Sequence, residues 1–288
     1  MWQSILRNWL LSTAQEHLRE SARQKASPQE PQPAGQQPPP EPKKSVCHVG
    51  VVFALGIEAG SLIDRLSGLI RIEGAGFVAR EGGLDGCRVV VIESGSGRLA
   101  AERAARALIL GHQPRWIVSA GFAGGLDGRL AQGDILLADE IVDTTGRALT
   151  IDFKLSADAA ASPTRVHVGR LLTMDHVVER ADEKHALGKE FAALAVDMES
   201  LGVAEVCARE KVRFLSVRVI GDAVDRTLPR DIDRLVKQKS TAGRLGAAAG
   251  ALLRRPGSIK DMWQLKEDAL VASERLAKFL AGLIGQLK

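Results

Sequence analysis

Cysteine is scarce in this 288-residue chain, aromatic side chains make up 4% of it, and no apolar run reaches 18 residues. Each shortage excludes something. The three cysteines, Cys47, Cys87 and Cys207, are widely spaced and odd in number, with no C-x-x-C pair, so neither a disulfide framework nor a zinc site is expected. They read as inert buried thiols in a reducing, cytoplasmic setting, and none as a nucleophile. The lack of aromatics, with no basic stripe to carry them, argues against nucleic-acid binding. The lack of a long apolar run excludes a membrane-spanning helix, and the N-terminus has neither the unbroken apolar core nor the cleavage site of a signal peptide. Charge of one sign is not concentrated either. The formal net charge is +4, but 39 basic residues are interspersed with 35 acidic ones, which suits a small anionic ligand better than a polyanion.

What is present divides the chain into three parts. Over residues 1–24, Trp2, Ile5, Leu6, Trp9, Leu10 and Leu18 recur at spacings of three and four between charged residues, the period of an amphipathic helix that wants an apolar partner: its own domain first, or a membrane surface or another protein. Residues 25–44 are rich in proline and glutamine, bury almost nothing, and read as an extended linker. From residue 45 to 288, short β-rich runs (VCHVGVVFAL, CRVVVIES, RWIVSAG, DILLADEIV, VHVGRLLT, FLSVRVIG) alternate with helical stretches such as Arg98–Leu110 and Ser200–Arg209. Near-continuous apolar strands are covered on both faces. The expected fold is therefore α/β, three layers α/β/α around a central twisted mixed sheet. The tail from Asp231 reads as helical, interrupted near Arg255-Pro256-Gly257, and packed on that sheet.

Candidate chemistry gathers after the strands. The loop Ser94-Gly95-Ser96-Gly97-Arg98 follows a strand and opens an alanine-rich helix, a place where backbone N–H groups can approach an oxyanion or a water held by one. It is neither a dinucleotide fingerprint nor a Walker loop. Ser119 to Leu126 ends another strand, where open α/β sheets bind ligands. Three acids, Glu58, Glu199 and Asp222, each follow an apolar segment. No metal-ligand cluster and no redox motif is visible, so no metal and no cofactor is expected.

Taken in order, these segments resemble the purine and uridine phosphorylase superfamily, closest to its methylthioadenosine/S-adenosylhomocysteine nucleosidase branch. The resemblance rests on Ala54-Leu55-Gly56-Ile57-Glu58, Ser94 to Arg98, Gly121 to Leu126 with Gly133-Asp134-Ile135, Val196-Asp197-Met198-Glu199, and Arg218-Val219-Ile220-Gly221-Asp222. It implies a nucleoside phosphorylase-like fold and cleavage of a purine N-glycosidic bond. Asp222 would be the acid at base nitrogen N7. Met198 and Glu199 would hold the ribose, and Glu58 would activate the nucleophile. Ser94, Gly95, Arg98 and Arg218 would position that nucleophile, with Gly121, Phe122, Val177, Val178 and Gly221 around the base. A carboxylate beside the nucleophile suits water and repels phosphate. Arg98 and Arg218 suit phosphate, so phosphorolysis stays open as the alternative.

The chain departs from the branch at three places: Gly221 where serine is usual, Asp197 for glutamate, and Val177 near the position of a base-stacking phenylalanine, whose surface Phe122 partly replaces. His176 stands beside that position. The segment between Asp143 and His167 is short and polar for the branch. Residues Arg254 to Leu280 resemble the hopanoid-associated nucleoside phosphorylases, which points to a lipid-linked adenosine as a second substrate class. A non-catalytic nucleoside-binding protein is a reading of another class, disfavoured by the complete set of acids. The resemblance further implies a homo-oligomer, a homodimer first.

Overall fold

Strand β1 (Val49–Phe53) shows why the apolar runs are unbroken. Val49, Val51 and Phe53 point into one core and Val52 into another. The next parallel strand, β4 (Cys87–Glu93), divides the same way, Val89 and Val91 against Val90 and Ile92. Period-two alternation with two buried faces needs an apolar residue at every position. The computed structural model describes residues 47–74, 76–153, 165–228 and 258–287, with side chains of the last helix from Glu267 onward. The helix expected over 1–24, the linker over 25–44, and the stretches 154–164 and 229–257, which include Arg254 and Arg255, lie outside the described residues.

After β1 come helix α1 (Gly56–Ile63) and a hairpin, β2 (Ser67–Gly74) and β3 (Phe77–Leu84), that joins β4. Then follow α2 (Arg98–His112), β5 (Trp116–Gly125), β6 (Ile135–Asp143), β7 (Ala148–Thr150) and β8 (Val166–Thr173). The chain continues through α3 (Ala181–Phe191), β9 (Ala195–Asp197), α4 (Ser200–Glu210), β10 (Arg213–Asp222) and the long α5 (Ser258–Gln286). The ten strands form one mixed sheet in the order β10-β6-β8-β9-β5-β1-β4-β3-β2, with β7 on β6. Strand β10 also pairs with β5, so β5, β10, β6, β8 and β9 close on themselves, while β1, β4, β3 and β2 fan outward. The α/β/α layering expected from the sequence is present, and half of its sheet is a closed ring.

Helices α2 and α4 cover one face. They approach closely because position 202 is glycine: a Cβ there would lie 2.9 Å from the Arg98 carbonyl oxygen. Two glycines with positive φ, Gly95 (82°) and Gly97 (96°), turn the chain from β4 into α2, a conformation other residues adopt only at a cost. Helices α1 and α5 cover the opposite face. Leu276, Leu280, Leu283 and Ile284 of α5 are buried in the largest core cluster together with Leu62 of α1. The three cysteines are buried and free, and burial pushes the Cys47 and Cys207 thiols up to about 12. Among the described residues no helix is long and apolar enough to cross a membrane.

Because α5 is part of the main core, truncating Leu276, which has no exposed surface, should cost stability like any central leucine. Leu276→Ala is expected to lower the unfolding free energy by roughly 2–5 kcal/mol in urea titration. A loss below about 1 kcal/mol would mean that α5 packs only loosely.

Candidate active site

The C-terminal ends of β1, β5, β9 and β10 surround a cavity of about 280 Å³, the position where open α/β sheets hold ligands. Its wall is mostly apolar, including Ala54, Leu55, Phe122, Val177, Val178, Val196 and Met198, interrupted by the carboxyl groups of Glu58, Asp197, Glu199, Asp222 and Asp268.

Glu58 stands in the first turn of α1 and caps it, accepting a hydrogen bond from the Leu55 N–H (2.8 Å). Its other oxygen accepts from the Phe122 N–H (2.9 Å). Burial raises its pKa above the usual carboxylate range, while the Phe122 N–H and the charge of Arg218 pull it down. Gly121 makes this arrangement possible. A Cβ at that position would fall 2.5 Å from Arg218 Nη1 and 2.8 Å from Glu58 Oε1, so only glycine leaves room for both groups.

Arg218 is paired in register with Gly121 across β10 and β5, and it is 1% exposed. Its Nη2 donates to Ser119 Oγ (2.7 Å) and Ser200 Oγ (2.9 Å) and forms an ion pair with Asp197 Oδ2 (2.7 Å). Its buried Nε has no hydrogen-bond partner. Asp197 in turn accepts from the Thr173 hydroxyl (2.7 Å) and the Ser200 N–H (2.9 Å). This is a buried polar network under the cavity floor, with its charges paired as burial demands.

Glu199, at the N-cap of α4, accepts from the Gly97 N–H (2.8 Å) and weakly from the Met198 N–H (3.3 Å). Burial, and then the negative charge of Asp197, push its carboxyl up to about 7. Asp222, at the end of β10, is ion-paired with Lys184, a lysine with no exposed surface. Burial raises its pKa and Lys184 opposes the shift.

Eight of the residues singled out from the sequence line this cavity: Glu58, Asp222, Met198, Glu199, Phe122, Val177, Val178 and Gly221. His176 lines it as well. Gly121 and Arg218 stand directly behind Glu58. Ser94, Gly95 and Arg98 are not among the lining residues. The Ser94 hydroxyl faces the carbonyls of Phe53 and Gly95, and Arg98 is held by Glu205 (2.8 Å), Asp143 (3.2 Å) and Glu102 (3.5 Å). At Gly221 a Cβ would meet nothing nearer than 3.8 Å, so a larger residue would fit, and glycine there simply leaves the cavity wider. Sequence reasoning missed Lys184, the hydroxyls around Arg218, and the wall formed by Leu228 with Asp268, Ala269 and Ala272 of α5.

Comparison with known proteins places this geometry among relatives. The family described as the phosphorylase superfamily matches residues 48–255. The 5′-methylthioadenosine/S-adenosylhomocysteine nucleosidase of Colwellia psychrerythraea is 26% identical over 215 residues, covering 65% of this chain and 88% of that protein. Its counterpart from Staphylococcus haemolyticus is 26% identical over 195 residues, covering 60% and 86%. The crystal structure of the Colwellia nucleosidase in complex with adenine superposes with a TM-score of 0.65 at 24% identity, covering 85% of this chain and 97% of that one, a likeness of fold.

The Glu199 shift has a signature in stability. The carboxyl binds a proton more tightly in the folded chain (about 7) than at its ordinary value of 4.5, so its contribution is complete below 4.5 and is lost as pH rises through 7. Glu199→Gln removes that loss. Relative to wild type, the variant should gain stability between about pH 4.5 and 8, on the order of 3 kcal/mol, with the difference closing at the acid end. Urea unfolding across that range checks it. An offset that does not change with pH would rule it out.

Proposed function

This chain belongs to the phosphorylase superfamily, and on that premise we propose that it hydrolyses the N-glycosidic bond of a 5′-substituted adenosine, of the methylthioadenosine or S-adenosylhomocysteine type, and releases adenine. The observation that carries the reading is that three carboxyl groups, Glu58, Glu199 and Asp222, line one apolar cavity, and burial holds each above its ordinary range.

Breaking the C1′–N9 bond builds positive charge on the sugar and negative charge on the base. Asp222, protonated more readily than a surface aspartate, donates to N7 as the base leaves. Glu199 with the Met198 backbone faces the ribose, and its carboxylate stabilises the cationic sugar. Glu58, with a raised pKa, is a competent base for the attacking water. Phe122, Val177 and Val178 offer the base an apolar bed.

Water is favoured over phosphate by the charges around Glu58. Arg218 is already paired with Asp197, and Arg98 is engaged by Glu205 and Asp143. A phosphate dianion would therefore meet the carboxyl groups of Glu58 and Glu199, with no cation left to balance it from these two arginines. Relatives of the matched kind bear nucleosidase names, which supports the same reading. The three free, buried thiols support a cytoplasmic setting, and the family resemblance supports a homodimer.

Purified protein should release adenine from methylthioadenosine and S-adenosylhomocysteine at the same rate with and without phosphate. Glu58→Gln should lower kcat by about 10²- to 10⁴-fold. Release that requires phosphate would make the enzyme a phosphorylase. Tight binding of either nucleoside without turnover would make it a binding protein.

A further inference from the structure

Helix α3 is charged and largely solvent-facing, and the residue of it that is fully buried is a lysine, Lys184. An ammonium group is costly to bury unless it is paired and hydrogen-bonded. It has three N–H donors, and the fold supplies three oxygens: Asp222 Oδ2, the Arg226 carbonyl (2.7 Å) and the Ala223 carbonyl (3.3 Å). The helix comes this close because position 188, one turn beyond Lys184, is glycine. A Cβ there would lie 2.4 Å from the Leu126 carbonyl oxygen. The segment after β10 is thus tied to α3 by Lys184, and through the Arg226 guanidinium to Asp268 of α5 (2.9 Å).

Other charged groups are disposed around the same carboxyl. Arg226 acts on Asp222 from the following loop. His176, Asp268, Glu58 and Glu199 share the cavity, with His176 facing Glu183 (3.7 Å) and Asp268 facing Arg226. Among the described residues, the ion pair to Asp222 is made by Lys184.

Resting on the reading of Asp222 as the acid of the reaction, we propose that Lys184 is its positioning residue: it engages Oδ2, leaves Oδ1 for base nitrogen N7, and neutralises the carboxylate that proton donation leaves behind. The proton passes from Asp222 to N7 while the electron pair of the C1′–N9 bond moves into the purine. The sugar cation takes the water oxygen and Glu58 takes its proton. Adenine leaves neutral, and the Asp222 carboxylate stays paired with Lys184 until solvent reprotonates it.

The test is carried out on the full chain. The Asp222 carboxyl is titrated by ¹³C NMR, assigned with Asp222→Asn, and the pH profile of adenine release is recorded alongside. Lys184→Met removes the charge, Lys184→Gln removes it but keeps donors for the two carbonyls, and Lys184→Arg keeps it. In either neutral variant the Asp222 titration and the alkaline limb of kcat should move about 1–3 pH units higher. A carboxyl that ionises less readily is a poorer proton donor, so kcat should fall about tenfold or more with KM nearly unchanged. Lys184→Arg should leave the titration near the wild-type position. An unmoved titration in a folded neutral variant overturns the proposal, and so does a shift of equal size in Lys184→Arg, which would mark a packing effect. If wild-type protein releases no adenine, the assigned reaction fails, while the NMR titration still decides whether Lys184 governs Asp222.

Discussion

A guanidinium with almost no access to water lies under the cavity, and the rest of the site is arranged around it. Arg218 can be buried in the sheet only because Asp197 neutralises it and the hydroxyls of Ser119 and Ser200 satisfy its Nη2. Asp197 and Ser200 come from β9 and α4, which precede β10 in the chain, whereas Ser119 comes from β5, about a hundred residues earlier. The closure of β5, β10, β6, β8 and β9 into a ring brings them together. Gly121 is then required on the neighbouring strand, since any side chain there would displace either the arginine or Glu58. One buried charge thereby accounts for a glycine and for the place of a carboxylate.

The same pairing governs the chemistry above it. The Asp197 charge adds to burial in keeping Glu199 partly protonated near neutral pH, while Arg218 limits how far Glu58 is raised. Asp222 has a separate counter-charge in Lys184. The cavity therefore offers three carboxyl groups in three electrostatic settings, so that similar side chains differ in how readily each gives up its proton.

Much of this was legible in the sequence for local reasons. Strands β1, β4, β5 and β10 are buried on both faces, so their apolar runs stand out, and the acids and glycines that end them follow directly. The hairpin strand β2, SGLIRIEG, is exposed along most of its length and carries no such pattern. Strands β7 and β9 are three residues each, too short for a period to register. The ring closure is a matter of long-range register, which no window of sequence reports. Lys184 lies in ADEKHALGKEF, which reads as a solvated helix, and only the close seating of Gly188 against Leu126 turns it inward. The turn from Ser94 into α2 was legible through Gly95 and Gly97. The destination of Arg98 was not, because Asp143 and Glu205, the acids that hold it, are distant in the chain.

The wall that α5 contributes through Asp268, Ala269 and Ala272 ties catalysis to the order of synthesis. Glu58, Glu199 and Asp222 all leave the ribosome before α5 does, yet until that helix seats against α1 the cavity they line stands open on one side. Water would then reach the three carboxyls and relax the burial that sets their proton affinities. A nascent chain with all three acids in place is thus still chemically unfinished, and the seating of α5 turns an open cleft into a site able to work on a nucleoside.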